Sequence, residues 1–179
     1  MTPRNRRRLQ LILILGSFAV PALVALLLGG MGWQPETRSA GEPVLPQRSV
    51  ADAVVMLDDG TPWLWRDSEP RMTLLALPGP DCAAACRETL TLMRNARVTL
   101  NRNMQRLRLL YVGTPPAADA LPRDWRVGRD EAGVFDVFSA RSPDSVAALL
   151  IESNGTVLLH YPAGFDPRGL ARDLRKVVR

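Results

Sequence analysis

Residues 74–90 read LLALPGPDCAAACRETL, and this stretch decides the fold of the 179-residue chain. Its first half is a short, continuous apolar run, which is typical of a buried strand. Its second half begins a helix that we predict over residues 81–103, with Asp81 as the N-cap and Cys82 in the first turn. Cys82 and Cys86 are the only cysteines. Because they are four positions apart, they share one face of that helix.

The elements on either side of this junction predict the fold class. In chain order we expect a hairpin, strand, helix, strand, short helix, hairpin and helix, over residues 53–66, 72–79, 81–103, 106–113, 131–140, 146–161 and 166–178. Residues 114–129 are proline-rich and are predicted to be irregular. A strand–helix–strand unit implies parallel strands joined by a right-handed crossover. The order therefore predicts an α/β, thioredoxin-like fold with a central mixed sheet flanked by helices.

The N-terminal region predicts a membrane anchor. No charged residue lies between Leu11 and Pro35, and about 20 apolar residues suffice to cross a bilayer as a helix. The arginines before this run predict a cytoplasmic N-terminus by the positive-inside rule. We predict a basic cytoplasmic tail (1–8), a transmembrane anchor (9–33), a linker (34–50) and a periplasmic thioredoxin-like domain (51–179). The alternative is a cleaved signal sequence, which would also export the domain.

The net charge of +5 does not indicate a nucleic-acid partner. Four of the arginines are Arg4, Arg6, Arg7 and Arg8, and the other basic residues are scattered among acidic ones. Nucleic-acid binding surfaces show a basic patch or stripe, often interleaved with aromatic side chains. The chain has no such pattern, and no nucleic-acid partner is expected. The partner predicted from the N-terminal region is the inner membrane of a bacterium.

The exported position makes the cysteine pair a candidate site. Disulfides persist outside the cytosol, but a bond between Cys82 and Cys86 closes a very small loop and would add little stability. A helix N-terminus favours a thiolate, although the charge of Asp81 opposes it. Two chemistries need such a pair, thiol–disulfide exchange and copper(I) binding by two thiolates. The third alternative is two inert thiols on one helix.

The whole arrangement resembles the Sco/SenC family of membrane-anchored, thioredoxin-like proteins of cytochrome c oxidase assembly. The likeness covers the opening hairpin LDDGTPWLW, the strand and C-x-x-x-C helix, and the late hairpin PDSVAALLIESNGTVLLHY. The resemblance implies that Cys82 and Cys86 match the family cysteines. Those bind copper with one histidine, and the proteins deliver copper to the oxidase or reduce cysteines of its copper site. The implied partners are a cytochrome c oxidase subunit or assembly factors.

The family histidine has no counterpart, because Asp144 occupies its place. A carboxylate is a hard oxygen ligand that suits copper(I) poorly. The only histidine, His160, is predicted opposite Leu149 inside the last strand, as a sheet residue rather than a ligand. The leading hypothesis is therefore thiol–disulfide exchange by Cys82 and Cys86 in oxidase assembly, with thiol–disulfide oxidoreductase activity. The alternatives are a copper(I) chaperone and a non-catalytic interaction module.

Overall fold

The computed structural model describes residues 3–30, 39–66, 68–115 and 121–178, in two compact units, Met1–Arg38 and Ser39–Arg179. The first unit contains one helix, α1 (Pro3–Gly30), with Pro21 inside it. Among the described residues, no helix is long and apolar enough to cross a membrane. The transmembrane helix predicted over residues 9–33 is therefore not confirmed, and its last three residues lie outside the described ranges.

The described residues of the second unit form a seven-stranded mixed sheet with two α-helices. Its elements are β1 (Glu42–Ser49), β2 (Val55–Leu57), β3 (Met72–Pro78), α2 (Ala84–Val98), β4 (Leu107–Val112), β5 (Trp125–Asp130), β6 (Val146–Ile151), β7 (Thr156–Tyr161) and α3 (Pro167–Val177). The strand order is β1-β7-β6-β3-β4-β5-β2. As predicted, β3 is central and runs parallel to β4, while the β6–β7 hairpin extends the sheet antiparallel to β3.

The two faces of the sheet are covered differently. Buried residues of α2 and α3, including Cys86, Leu90 and Leu174, pack on one face with alternate residues of the central strands. The other face is covered by Trp63, Trp65 and other residues from the segments between strands. Every residue of β3 except its last is buried, which matches the apolar run expected of a strand covered on both faces.

The linker predicted over residues 34–50 is wrong in its second half. Residues 42–49 form β1, which pairs antiparallel with β7 at one edge of the sheet. Pro43 and Pro46 suggest a linker in the sequence, but an edge strand tolerates proline because only one side needs ladder hydrogen bonds. Residues 34–38 lie outside the described ranges.

Four other elements differ from prediction. Residues 125–129, predicted to be irregular, belong to β5 (Trp125–Asp130), whose central Gly128 weakens the strand signal. The helix predicted over 81–103 is α2, three residues shorter at the start, followed by a 3-10 helix over Asn101–Arg106. The short helix expected at 131–140 is only a 3-10 turn, Asp136–Phe138. The first hairpin is reduced to β2, with a single bridge between Met56 and Pro62.

Candidate active site

Cys82 and Cys86 form a disulfide at the start of α2, with their Cα atoms 5.1 Å apart. The two sulfurs differ in burial. Cys86, in the first turn of α2, is 0% exposed and belongs to the core that α2 and α3 make with the sheet. Cys82 precedes the helix and is only half-buried. An attacking thiolate therefore has access to Cys82 and not to Cys86.

The N-cap predicted at Asp81 is wrong. The N-cap position of α2 is Ala83, whose side chain makes no capping hydrogen bond. Asp144, from the loop before β6, caps the helix instead. Its carboxylate accepts hydrogen bonds from the backbone N–H groups of Ala85 (3.0 Å) and Cys86 (2.9 Å). These are the amides that an ordinary N-cap side chain would satisfy.

The backbone on both sides of the site holds Asp144 in this position. Its own N–H donates to the carbonyl of Asp81 at 2.7 Å, and Gly79 N–H donates to the carbonyl of Ser145 at 2.8 Å. A Cβ at Gly79 would overlap the carbonyl oxygen of Ser142. Asp144 has a φ of 50°, in the left-handed region where Asp and Asn are enriched. The PGP turn before the cysteines therefore lies directly against the loop that carries the cap.

The cap carries a negative charge. Hydrogen bonds from the amides of Cys86 and Ala85 hold the pKa of Asp144 below its usual value, and the nearby positive charge of Arg87 lowers it further. The carboxylate is therefore ionised at neutral pH. The positive end of the helix, which commonly favours a cysteine thiolate, is already opposite a carboxylate.

The described residues do not supply a histidine, a further cysteine or a carboxylate as third ligand beside the two sulfurs of a copper site. Among them, no group of three His, Cys, Asp or Glu side chains could hold a metal ion. Both oxygens of Asp144 accept helix amides, so the residue at the family histidine position acts as a cap. Of the copper ligands that the resemblance implies, only the two thiolates, Cys82 and Cys86, have counterparts among the described residues.

His160 is paired with Leu149, as predicted, and lies on the face of the sheet opposite to Cys86. Its ring contacts Phe138 edge-on, with centroids 5.4 Å apart. Phe138 packs on the face of the sheet that Trp63 and Trp65 cover, away from α2. The sheet therefore separates the histidine from the disulfide, and the expectation that His160 is a sheet residue is confirmed.

Trp63 and Trp65 are core residues that lie outside the strands. The indole N–H of Trp65 donates to the carbonyl of Ala53 at 2.7 Å. The guanidinium of Arg108 lies 4.4 Å from the centre of the Trp63 ring, a cation–π contact. These contacts show the two indoles packing within the domain.

With a disulfide between a central strand and the next helix, the site has the position expected for a thioredoxin-like protein. Residues 73–179, more than half of the chain, match the family described as "Transmembrane-like, thioredoxin-like, C-terminal domain". The chain belongs to this family. The thioredoxin-like α/β fold with a mixed sheet is thereby confirmed. No curated protein matches the chain in sequence.

Solved structures extend the likeness at the level of the fold. Copper-bound ScoI of Arabidopsis thaliana is 13% identical, with a TM-score of 0.51 over 77% of this chain and 97% of that one. The bacterioferritin comigratory protein of Xanthomonas campestris is 13% identical, with a TM-score of 0.51 over 78% and 97%. The exposed lipoprotein thioredoxin Etrx1 of Streptococcus pneumoniae is 14% identical, with a TM-score of 0.50 over 69% and 98%. Membership of the Sco/SenC family in particular is not confirmed.

Both sulfurs were predicted from the sequence, but the role of Asp144 was missed. Asp144 was compared only with a metal-binding histidine, and the helix cap was assigned to the nearer Asp81. A cap supplied 58 or 59 positions away has no local signal. The one available clue was that Ala83, Ala84 and Ala85, in the first positions of the helix, offer no capping side chain.

Proposed function

We propose that this member of the transmembrane-like, thioredoxin-like family carries out thiol–disulfide exchange with Cys82 and Cys86. The observation that carries the proposal is the unequal burial of the two bonded sulfurs at the start of α2. Thiol–disulfide exchange requires one sulfur that a partner reaches and a second that resolves the mixed disulfide. Half-buried Cys82 fits the first role, and fully buried Cys86 fits the second.

The exchange balances in two steps. A partner thiolate attacks Sγ of Cys82 and forms a mixed disulfide, while the bond to Cys86 breaks and Cys86 leaves as a thiolate that takes up a proton. A second partner thiolate then attacks the partner sulfur of the mixed disulfide, and Cys82 leaves. The partner loses two electrons, and the chain ends as a dithiol. In the reverse direction Cys82 attacks a partner disulfide and Cys86 resolves it.

The finer proposal is a place in cytochrome c oxidase assembly, on the outer face of a bacterial inner membrane. Its support is the sequence resemblance to the Sco/SenC family. Attachment of the chain to the membrane is supported by the uncharged run from Leu11 to Pro35, which follows an arginine cluster. Large apolar side chains of α1, among them Leu15, Phe18 and Leu26, are also exposed. The proposed partners are the membrane and a cysteine-containing oxidase subunit or assembly factor.

Equilibration of the full chain in graded glutathione buffers, followed by alkylation and mass measurement, tests the chemistry. We expect one reversible transition in which both thiols appear together. A disulfide that stays oxidised or thiols that stay reduced across the whole series would refute exchange. Copper(I) retained against a strong chelator by the reduced chain, and lost in Cys82→Ser, would instead favour the copper chaperone.

The proposed role in cytochrome c oxidase assembly needs a separate test in the cell. A strain lacking the protein should lose oxidase activity and recover it with the wild-type gene but not with Cys82→Ser. The membrane fraction should contain the full chain, and a membrane-impermeant maleimide should label Cys82 in Cys86→Ser in intact spheroplasts. Normal oxidase activity in the deletion strain would argue against a role in its assembly while leaving the exchange chemistry untouched.

A further inference from the structure

We infer that Asp144 is a positioning residue that tunes the Cys82–Cys86 couple by occupying the start of α2 with a fixed carboxylate. This inference rests on the proposed exchange function. Asp144 contacts the backbone around the disulfide on both sides, through the Asp81 carbonyl and through the amides of Ala85 and Cys86. Because these contacts are all with backbone groups, its effect acts through the helix and its charge.

Asp144 acts first on the amides at the start of α2. The free N–H groups at a helix start and the helix dipole lower the pKa of a cysteine there by stabilising its thiolate. In this chain the amides of Ala85 and Cys86 are bonded to Asp144. A Cys82 thiolate would have to share these donors with the carboxylate or do without them.

Asp144 also acts through its negative charge. The disulfide carries no charge, whereas reduction can produce a thiolate close to the ionised Asp144. Two further charged residues belong to this segment: Asp81, directly before Cys82, and Arg87, whose positive charge lowers the pKa of Asp144. Repulsion by the carboxylate disfavours the reduced, thiolate-bearing form and leaves the disulfide favoured. Asp144 therefore lowers the reduction potential and makes Cys86 and Cys82 poorer leaving groups.

A reduction potential separates this role from a merely structural one. Loss of a cap that weakened the oxidised and reduced proteins equally would cancel in the potential, because the potential reports only their difference. Asn is the best replacement, since it is isosteric, tolerates the left-handed φ of residue 144, and removes only the charge and one acceptor oxygen. Gly suits the same φ and removes the whole side chain.

We expect Asp144→Asn to shift the equilibrium with glutathione three- to tenfold toward the dithiol. A tenfold shift corresponds to about 30 mV in a two-electron couple. Asp144→Gly should shift it in the same direction and at least as far, because both amides become available to the thiolate. Ultraviolet absorbance of the thiolate should show Cys82 ionising at lower pH in both variants, measured in the Cys86→Ser background.

Two other aspartates are matched controls. Asp166 caps α3 by accepting from the amides of Arg168 (2.9 Å) and Gly169 (3.0 Å), far along the chain from any cysteine. Asp166→Asn removes the same charge from the same kind of cap, and should leave the potential unchanged. Asp81→Asn removes a charge next to Cys82 without touching the cap, and should shift the potential less than Asp144→Asn does.

The outcomes separate the inference from the function it rests on. If the wild-type chain has no reversible transition, the exchange function fails, and the inference with it. If the wild type equilibrates but Asp144→Asn and Asp144→Gly keep its potential, the inference is wrong and the function stands. A shift in Asp81→Asn as large as in Asp144→Asn would also overturn it, because general charge and not the cap would then set the potential.

Discussion

At the scale of single residues, the unequal burial of the two cysteines has a direct kinetic consequence. In the disulfide-bonded protein, Cys82 is half-buried and Cys86 lies inside the core. We expect iodoacetamide to alkylate Cys86→Ser at least tenfold faster than Cys82→Ser, because thiol reactivity follows exposure and thiolate character. Both rates should become equal in denaturant. Equal rates in the folded proteins would mean that α2 does not bury Cys86 after reduction.

Asp173 is a second aspartate whose carboxylate holds parts of the fold together through hydrogen bonds. It is 2% exposed and accepts hydrogen bonds from Ser39 Oγ (2.9 Å), Ala40 N (2.7 Å) and Gly41 N (3.2 Å). The Tyr161 hydroxyl also donates to it at 3.3 Å. Burial alone would raise the pKa of Asp173, but the hydrogen bonds outweigh burial and lower it. The carboxylate therefore fastens the start of the domain to α3.

Replacing this carboxylate should cost stability in a pH-dependent way. Since a hydrogen bond to a charged group contributes about 1.5–3 kcal/mol, Asp173→Asn should lower the free energy of unfolding by about 3 kcal/mol at pH 7. With a lowered pKa in the folded protein, this stabilisation is present above the unfolded pKa of about 3.9 and is lost as pH falls through the folded pKa. Urea unfolding at several pH values should show the two proteins converging in acid. A constant gap down to low pH would contradict this account.

At the scale of elements, close packing of α3 against the first residues of the domain makes a rescue experiment available. A Cβ on Gly169 would overlap the Cβ of Ala40. We expect Gly169→Ala to destabilise the domain by about 1–3 kcal/mol through overpacking. Adding Ala40→Gly should restore most of the loss, since it removes the opposing methyl group.

Denaturant unfolding of the two single variants and the double variant forms a mutant cycle for this contact. Ala40→Gly alone is the control, and should have a small effect because Ala40 is exposed. Additive free energies across the cycle would show that the two positions do not meet.

The elements also show what a sequence predicts and what it conceals. The β6–β7 hairpin and α3 were predicted correctly because their signals are local: Asn154-Gly155 in the turn, and Asp166 followed by Pro167 at the helix start. Strands β1 and β5 were missed because pairing partners supplied by other parts of the chain override prolines and a central glycine. The cap of α2 was missed for the same reason, since its donor and acceptor are distant in sequence. Elements with local signals can be predicted from the sequence, whereas strands and caps that depend on distant parts of the chain are missed.

At the scale of the whole molecule, the domain begins earlier than the sequence suggests. The compact unit starts at Ser39, not at residue 51, because β1 and the hydrogen bonds to Asp173 belong to it. We expect a fragment of residues 39–179 to unfold in one cooperative transition and to keep the redox behaviour of the full chain. A fragment of residues 51–179 should be clearly less stable, because β7 loses its edge partner and Asp173 loses three donors.

Thermal unfolding of the two fragments, monitored by circular dichroism, compares these boundaries directly. Equal melting temperatures would mean that β1 contributes nothing to the fold. A fragment of residues 39–179 that failed to fold would show that the second unit depends on α1.

The contacts of Asp144 have a further consequence for the lifetime of a covalent complex. Its N–H binds the residue before Cys82, and its carboxylate binds the turn that carries Cys86, so both ends of the loop between the sulfurs are fixed to one residue. The freed Cys86 thiol therefore stays next to the mixed disulfide at a high effective concentration, and its return is an intramolecular step. Partners should be released quickly, and wild-type protein should yield few trapped complexes. A bound partner would accumulate only when Cys86 is replaced.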